Sequence, residues 1–176
     1  EMIEAAMVGR DGVVNGLAAL GGQPISLARA VVQMGGASSV LDLDRLRLIV
    51  DKSSALKQLL IQHEQFVLAQ SQQSAACNAA HSVEARLSRW LLRAHDLNGS
   101  HTQQFTQEFL AEMLGVRRTS VSVVASLLQQ AGLIKYRRGH IEITNMEALQ
   151  DASCECHETV RSSYRRLLGQ PINLTS

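Results

Sequence analysis

Proline is almost absent from this chain of 176 residues, occurring only at Pro24 and Pro171. There is also no internal repeat and no low-complexity stretch, so nothing marks a long unstructured linker. No run of about 18 or more apolar residues occurs, which argues against a membrane-spanning helix. The opening residues, EMIEAAMV, lack the basic, apolar and small-residue order of a secretory signal. They read as the middle of a strand and carry no initiator methionine, so the chain is expected to be a piece of a longer protein. Three cysteines, Cys77, Cys154 and Cys156, are too unevenly spaced for a disulfide framework. A reducing, cytoplasmic setting is therefore expected. The chain has no glycine-rich phosphate loop followed by Lys-Ser or Lys-Thr, and no pair of histidines one helical turn apart. Serine, histidine and aspartate stand in no motif context, and an enzyme is not expected.

Net charge is also nearly missing, at +1, but the average conceals a gradient. Residues 1–81 carry six Lys/Arg against seven Asp/Glu, and residues 141–176 carry three against five. Residues 82–140 carry eight against four, so the basic surplus is confined to one segment. Such a surplus marks a candidate surface for an anionic partner only where the fold gathers it.

Residues 1–43 contain β-like runs at EMIEAAMV, ISLARAVVQM and SSVLDLD, punctuated by glycines, and are expected to form short strands joined by turns. The pattern becomes helical from Asp44. A short helix is expected around 44–51 and a long one over 53–80, where neither glycine nor proline occurs. Along the long helix Leu56, Leu60, His63, Val67, Gln70, Ser74 and Cys77 recur at alternating four- and three-residue steps. That spacing is a coiled-coil-like seam, apolar at its start and polar toward its end, and fits a homodimer. A further helix is expected at 82–97, with Leu87, Trp90, Leu91 and Ala94 on one face and Arg86, Arg89 and Arg93 on another. Asn98-Gly99-Ser100 stops it.

Thr106 is the expected N-cap of a helix running to Leu114, and Gly115 ends that helix. The next helix runs to about Gln130 and buries Val121, Val124, Ala125 and Leu128. Arg118, Thr119, Ser122 and Val123 then face outward. Two adjacent arginines, Arg117 and Arg118, open this helix, although cations there are disfavoured by about 0.3–1 kcal/mol through the macrodipole. A nearby anion reverses that balance, because backbone N–H groups and guanidinium forks then act together. Downstream, LIKYRRGHIEI has a two-residue Arg138-Gly139 turn between β-like runs, with Lys135, Arg137, Arg138 and His140 around it. A helix–turn–helix followed by a basic hairpin is much more specific than either part alone.

The segment FTQEFLAEMLGVRRTSVSVVASLLQQAGLIKYRRGHIEI resembles the winged helix–turn–helix of the Crp/Fnr superfamily of bacterial transcription regulators. VEARLSRWLLRAHDL is similar to the helix that introduces that domain. The resemblance implies an α+β chain in three parts. Residues 1–52 would be a partial β-roll of cyclic-nucleotide-binding type, 53–80 a dimerisation helix, and 81–176 a winged helix–turn–helix. It implies sequence-specific binding of double-stranded DNA by a homodimer on an inverted-repeat operator, with RNA polymerase as a further candidate partner and no membrane. By that match Thr106 contacts phosphate, and Arg118, Thr119 and Val123 occupy the base-reading positions. Arg118 is expected to read a guanine, with Thr119, Ser120 and Ser122 contacting phosphate or a thymine methyl. Arg117 is also counted among the DNA-binding residues, and Lys135, Arg137, Arg138 and His140 form the basic wing. Many members have glutamate and a second arginine where this chain has Thr119 and Val123, so an atypical half-site is expected. Nucleotide-binding members carry Gly-Glu and Arg-Ser or Arg-Thr pairs. Here Leu17 follows Gly16 and Ala30 follows Arg29, which argues against a cyclic-AMP response, and no effector or cofactor is evident.

CECH at 154–157 invites a metal or redox reading. On a helix, Cys154 and Cys156 would point about 200° apart, and the C-x-x-C spacing of zinc sites is missing, so no metal is expected. One alternative keeps the fold but works as a redox-responsive regulator through Cys77 or Cys154/Cys156. Another is a protein-interaction regulator that no longer binds DNA.

Overall fold

A computed structural model describes residues 2–10 and 12–169. Glu1 of the first β-like run and Pro171 lie outside the described residues. The chain is α+β. A 3-10 turn at Gly16–Leu20 precedes helices α1 (Leu43–Lys52), α2 (Ser54–Ala80) and α3 (Val83–Asn98). Strand β1 (Thr102–Gln104), helices α4 (Gln107–Leu114) and α5 (Arg118–Gln130), and strands β2 (Ile134–Arg137) and β3 (His140–Ile143) come next. Helices α6 (Met146–Asp151) and α7 (Cys156–Leu168) follow. Two compact units divide the chain. The first takes in the residues up to Met7 and Gln70–Ser162; the second takes in Val8–Ala69 and the described residues from Ser163.

In the first unit, α3 is the central element. Its stretch from Arg86 to Ala94 is buried without a break, more than one amphipathic face allows. The buried side includes Arg86, Arg89 and Arg93, which helical spacing alone sets on a separate face. Two of the three reach a polar group there. The Arg86 guanidinium donates to the Leu114 carbonyl at the end of α4, and Arg93 Nε donates to Gln70 Oε1 at 3.3 Å. Trp90 meets Phe105 edge-on at 4.7 Å and Phe109 at 6.1 Å. Strands β1, β3 and β2 form one antiparallel sheet in that order, with Gln103 opposite Ile141 and Tyr136 opposite Ile141 on the other side.

The three β-like runs before Asp44 do not form strands. A strand needs a neighbouring backbone to satisfy its N–H and C=O groups. The first run finds substitutes instead. Glu4 N donates to the Met113 carbonyl at 3.0 Å, and the Gln70 amide exchanges two hydrogen bonds of 3.1 Å with Met7 N and O. ISLARAVVQM and residues 38–41 of SSVLDLD remain irregular and largely exposed, with Leu27 wholly exposed and Val40 94% exposed, while Asp42 caps α1 and Leu43 and Asp44 open it. They have the composition of strands but are assigned to no strand.

In the second unit Ala19, Val50 and Leu60 form a small core, flanked by Val13, Leu20, Leu43, Leu46 and Leu56. Arg47 donates to the Ala18 and Gly22 carbonyls at 3.0 and 2.9 Å, pinning the 3-10 turn to α1. His63 Nε2 accepts from Val13 N at 3.3 Å. Much of the expected α2 seam therefore faces its own chain. Leu60, His63, Gln70, Ser74 and Cys77 are buried within the single chain, and Leu56 and Val67 are half-buried. The row that reads as a coiled-coil seam is an intrachain packing edge, because the irregular segments and the α6–α7 region cover it.

Replacing Trp90 with alanine removes both edge-on ring contacts and leaves a cavity at the centre of the first unit. The expected loss is about 3–5 kcal/mol of stability, read as a lower midpoint in urea unfolding followed by circular dichroism.

Candidate nucleic-acid interface

The start of α4 is set by Thr106, whose Oγ1 accepts from Phe109 N at 3.1 Å. Capping uses the oxygen as an acceptor, so the hydroxyl proton stays available to an external acceptor. Thr106 is itself exposed. Helix α4 ends at Gly115, which adopts φ 62°. A side chain there would be strained and would also meet Ile3 Cδ1 at 2.9 Å. This sharp end, three residues before α5 begins, fixes the angle between the two helices.

Helix α5 begins at Arg118 with Arg117 as N-cap, and no side chain caps it. Its first turn contains no acid. The expected inner face holds: Val121, Ala125 and Leu128 are buried and Val124 is half-buried. Outward lie Arg117, Arg118 and Thr119, with Val123 61% exposed. Ser120 and Ser122 are half-buried. Ser122 Oγ lies 2.5 Å from Gln107 Oε1 and 3.1 Å from the Arg118 carbonyl, so its single proton is engaged within the helix pair. Ser122 thus braces α5 against α4. Arg118 Nη1 lies 3.7 Å from Glu108 Oε2, both side chains being largely exposed. An exposed pair of this kind contributes at most about 1 kcal/mol and gives way to a stronger anion.

The hairpin β2–β3 turns through Arg138 and Gly139, with φ 50° and 81°. Two successive positive φ values make the two-residue type I′ turn, in which glycine suits the second position and asparagine the first. Arginine at the first position is strained. Lys135 and Arg137 point outward from β2, and Arg137 pairs in register with His140. Lys135 stands opposite Glu142 in the same register, which offsets part of its charge. Two hydrogen bonds lock the hairpin to the helices. Tyr136 N donates to Gln129 Oε1 at 2.7 Å, and Tyr136 Oη donates to the Phe105 carbonyl at 3.2 Å. Burial raises the Tyr136 phenol above its ordinary range, so it stays a donor. The turn approaches the start of α4, since a Cβ on Gly139 would lie 3.8 Å from Thr106 Cγ2. Thr106, the wing tip and, through Glu108, Arg118 therefore gather around the α4 N-terminus.

The cysteines behave differently from the expectation drawn from a continuous helix. Cys154 lies in the loop ahead of α7, and Cys156 is the first residue of that helix. Their thiols therefore converge rather than diverge. Cys77 Sγ is 3.5 Å from Cys154 Sγ, and Cys156 Sγ is 3.5 Å from His81 Nδ1. Burial pushes the Cys77 thiol up to about 12, against the opposing pull of Arg89. Burial also raises the Cys154 thiol. The spacing rule for C-x-x-C pairs cannot find this group, because its members come from separate segments.

Residues 85–152 match the Crp-like helix-turn-helix domain. A comparison with curated proteins finds no match. Among solved structures, the chain is similar to FixK2 from Bradyrhizobium japonicum at TM-score 0.59 and 14% identity, over 65% of this chain and 60% of that one. It is also similar to a CRP/FNR-family transcriptional regulator from Thermus thermophilus at TM-score 0.53 and 22% identity, over 57% of this chain and 55% of that one. The chain thus spans little more than half the length of these structures. At these identities they show a shared fold.

Arg138→Gly should relieve the left-handed strain at the turn. A gain of about 1 kcal/mol is expected, seen as a higher melting temperature, whereas Arg138→Val should lower it.

Proposed function

We infer, from a chain whose residues 85–152 form a Crp-like helix-turn-helix domain, that this protein is a transcription regulator that binds double-stranded DNA. The observation that carries the reading is the surface around the start of α5. The helix opens on two exposed arginines, with no capping side chain and no acid in its first turn. A basic hairpin turn and the free hydroxyl proton of Thr106 lie beside it. Each of these features weakens an isolated fold and becomes favourable once a phosphate backbone is present.

Arg118, Thr119 and Val123 are the residues we assign to the major groove. Arg118 leaves Glu108 to form a bidentate contact with guanine, and the exposed Val123 methyls suit a thymine methyl. Thr119 contributes a short hydroxyl where a longer side chain would reach further. Arg117, Ser120 and Thr106 lie toward phosphate, and Lys135, Arg137, Arg138 and His140 follow the adjacent backbone. No helix among the described residues is long and apolar enough to cross a membrane.

A homodimer on an inverted repeat completes the reading, with α2 as the contact. Its buried row is taken up by its own chain, so we assign the pairing face to the opposite side. There Ala55, Gln62, Ala69 and Ala76 recur every seventh residue, with Gln58, Gln65, Gln72 and Ala79 between them, all exposed or half-exposed. Small residues at this spacing allow two helices to approach closely, and glutamine amides can pair across the seam.

Selection of bound sequences from a random DNA pool tests the reading directly. A two-fold symmetric consensus supports it, and recovery of no enriched sequence counts against it. On the selected site Arg118→Ala should weaken binding by about 1–3 kcal/mol and relax one base position. Arg138→Asn, which suits the turn, should weaken binding to all sequences about equally and flatten the salt dependence by about one phosphate contact. For the dimer, Ala76→Glu should convert the species seen by light scattering to a monomer while leaving the helical circular dichroism intact.

A further inference from the structure

Cys77 and His81 stand at the end of α2, and Cys154 and Cys156 flank the entry to α7, all within the first compact unit. The three cysteines form a small buried cluster beside Ala85, and the DNA reading makes no use of them or of His81. Their ligand atoms, three thiol sulfurs and one imidazole nitrogen, all lie within 4.8 Å of one another. We propose that Cys77, His81, Cys154 and Cys156 bind one zinc ion in a closed, tetrahedral site of three thiolates and one imidazole that fastens the end of α2 to the α6–α7 junction.

The separations fit a single ion. A tetrahedron with Zn–S bonds of about 2.3 Å puts its sulfurs about 3.8 Å apart. Here the Cys77–Cys154 sulfur pair and the Cys156–His81 pair are each at 3.5 Å. The remaining pairs lie within 4.8 Å, at most about 1 Å beyond the tetrahedral edge. An iron–sulfur cluster spreads its protein ligands over separate irons, for which this grouping is too tight. Four protein ligands leave no open position, so the site is structural rather than catalytic.

The surroundings match what zinc ligands require. His81 Nε2 is 3.2 Å from Glu155 Oε1, which fixes the proton on Nε2 and turns the Nδ1 lone pair toward Cys156. A carboxylate behind a histidine ligand is the usual means of orienting it. Gln73 Nε2 donates to Cys156 Sγ at 3.0 Å, an outer contact of the kind that orients a sulfur ligand. Charge supplies the third argument. Arg86 and Arg89 are buried, and the Nε of each has no hydrogen-bond partner among the described residues. Both interact electrostatically with Cys77 or its neighbours. Three neutral thiols do nothing to balance two buried guanidinium groups. Zinc with three thiolates and a neutral imidazole carries one net negative charge, and binding releases the three thiol protons to solvent. Zinc loading therefore supplies the anionic counterpart that the buried arginines lack.

The test uses the reduced full chain with Zn2+ alone, and Co2+ as a spectroscopic substitute. One equivalent of Zn2+ per chain should resist dialysis, raise the melting temperature and be removed by a chelator with a matching fall. Co2+ should give the strong visible bands of a tetrahedral site, together with thiolate-to-cobalt charge transfer. Cys156→Ser should lower zinc affinity by at least about 100-fold, more than loss of an outer partner costs. His81→Cys should keep the ion in a site of four thiolates and change the cobalt spectrum, which separates loss of a ligand from loss of the fold. Weak octahedral cobalt bands, substantially less than one zinc per chain, or unchanged affinity in Cys156→Ser would each overturn the proposal.

Discussion

The ring of Phe105 sets the geometry of the surface proposed to face DNA. It packs edge-on against Trp90 at 4.7 Å and stacks on Phe109 at 5.6 Å, in a chain where aromatic residues make up only 3%. Because Phe105 is anchored, Thr106 is held at the entrance to α4 and caps it. The Phe105 carbonyl also receives the Tyr136 hydroxyl, which carries the hairpin. Through Gln129 the same strand is tied to the end of α5. One buried ring thus indexes the α4 cap, α5 and the hairpin to a common reference. In this way a small sheet of three short strands presents basic side chains in a fixed relation to α5.

Local signals make this half of the chain legible. Thr106 as a cap, Gly115 as a stop and the inward spacing of Val121, Ala125 and Leu128 are each decided within a few residues, and the observed elements follow them closely. The Arg138-Gly139 turn is local in the same sense. Strand β1 offers no comparable signal: Thr102-Gln103-Gln104 is short and polar, and only its pairing with β3 makes it a strand. The early β-like runs fail for the converse reason. Val, Ile and Leu give a segment strand-like composition, but hydrogen bonds to another strand decide the outcome, and none is available among the described residues.

Long-range burial is what sequence periodicity cannot supply. Arg86, Arg89 and Arg93 read as a face apart from the apolar one, yet the first unit closes around the middle of α3 and makes them internal. Gln70 shows how such a core remains tolerable. Its oxygen accepts from both Met7 N and Arg93 Nε, while its nitrogen donates to the Met7 carbonyl. A residue that resembles a polar register position in a dimer seam is instead a buried junction within one chain. Helical spacing cannot separate these roles, because both require the same face of α2 to be covered.

The cysteines meet the same limit at closer range. Spacing along the chain assigns Cys154 and Cys156 to opposite sides of a helix, but the helix begins only at Cys156. The loop frees Cys154 to approach Cys77, 77 positions earlier, and the end of α2 brings His81 with it. Buried thiols with raised pKa values are poor nucleophiles while they remain protonated. Two neighbouring guanidinium groups nevertheless favour negative charge at that point. A neutral thiol cluster leaves both sides of this conflict unresolved, with cations short of partners and sulfurs held away from water. A cation that converts the thiols to thiolates resolves both, and it does so where the end of α2 meets the α6–α7 junction.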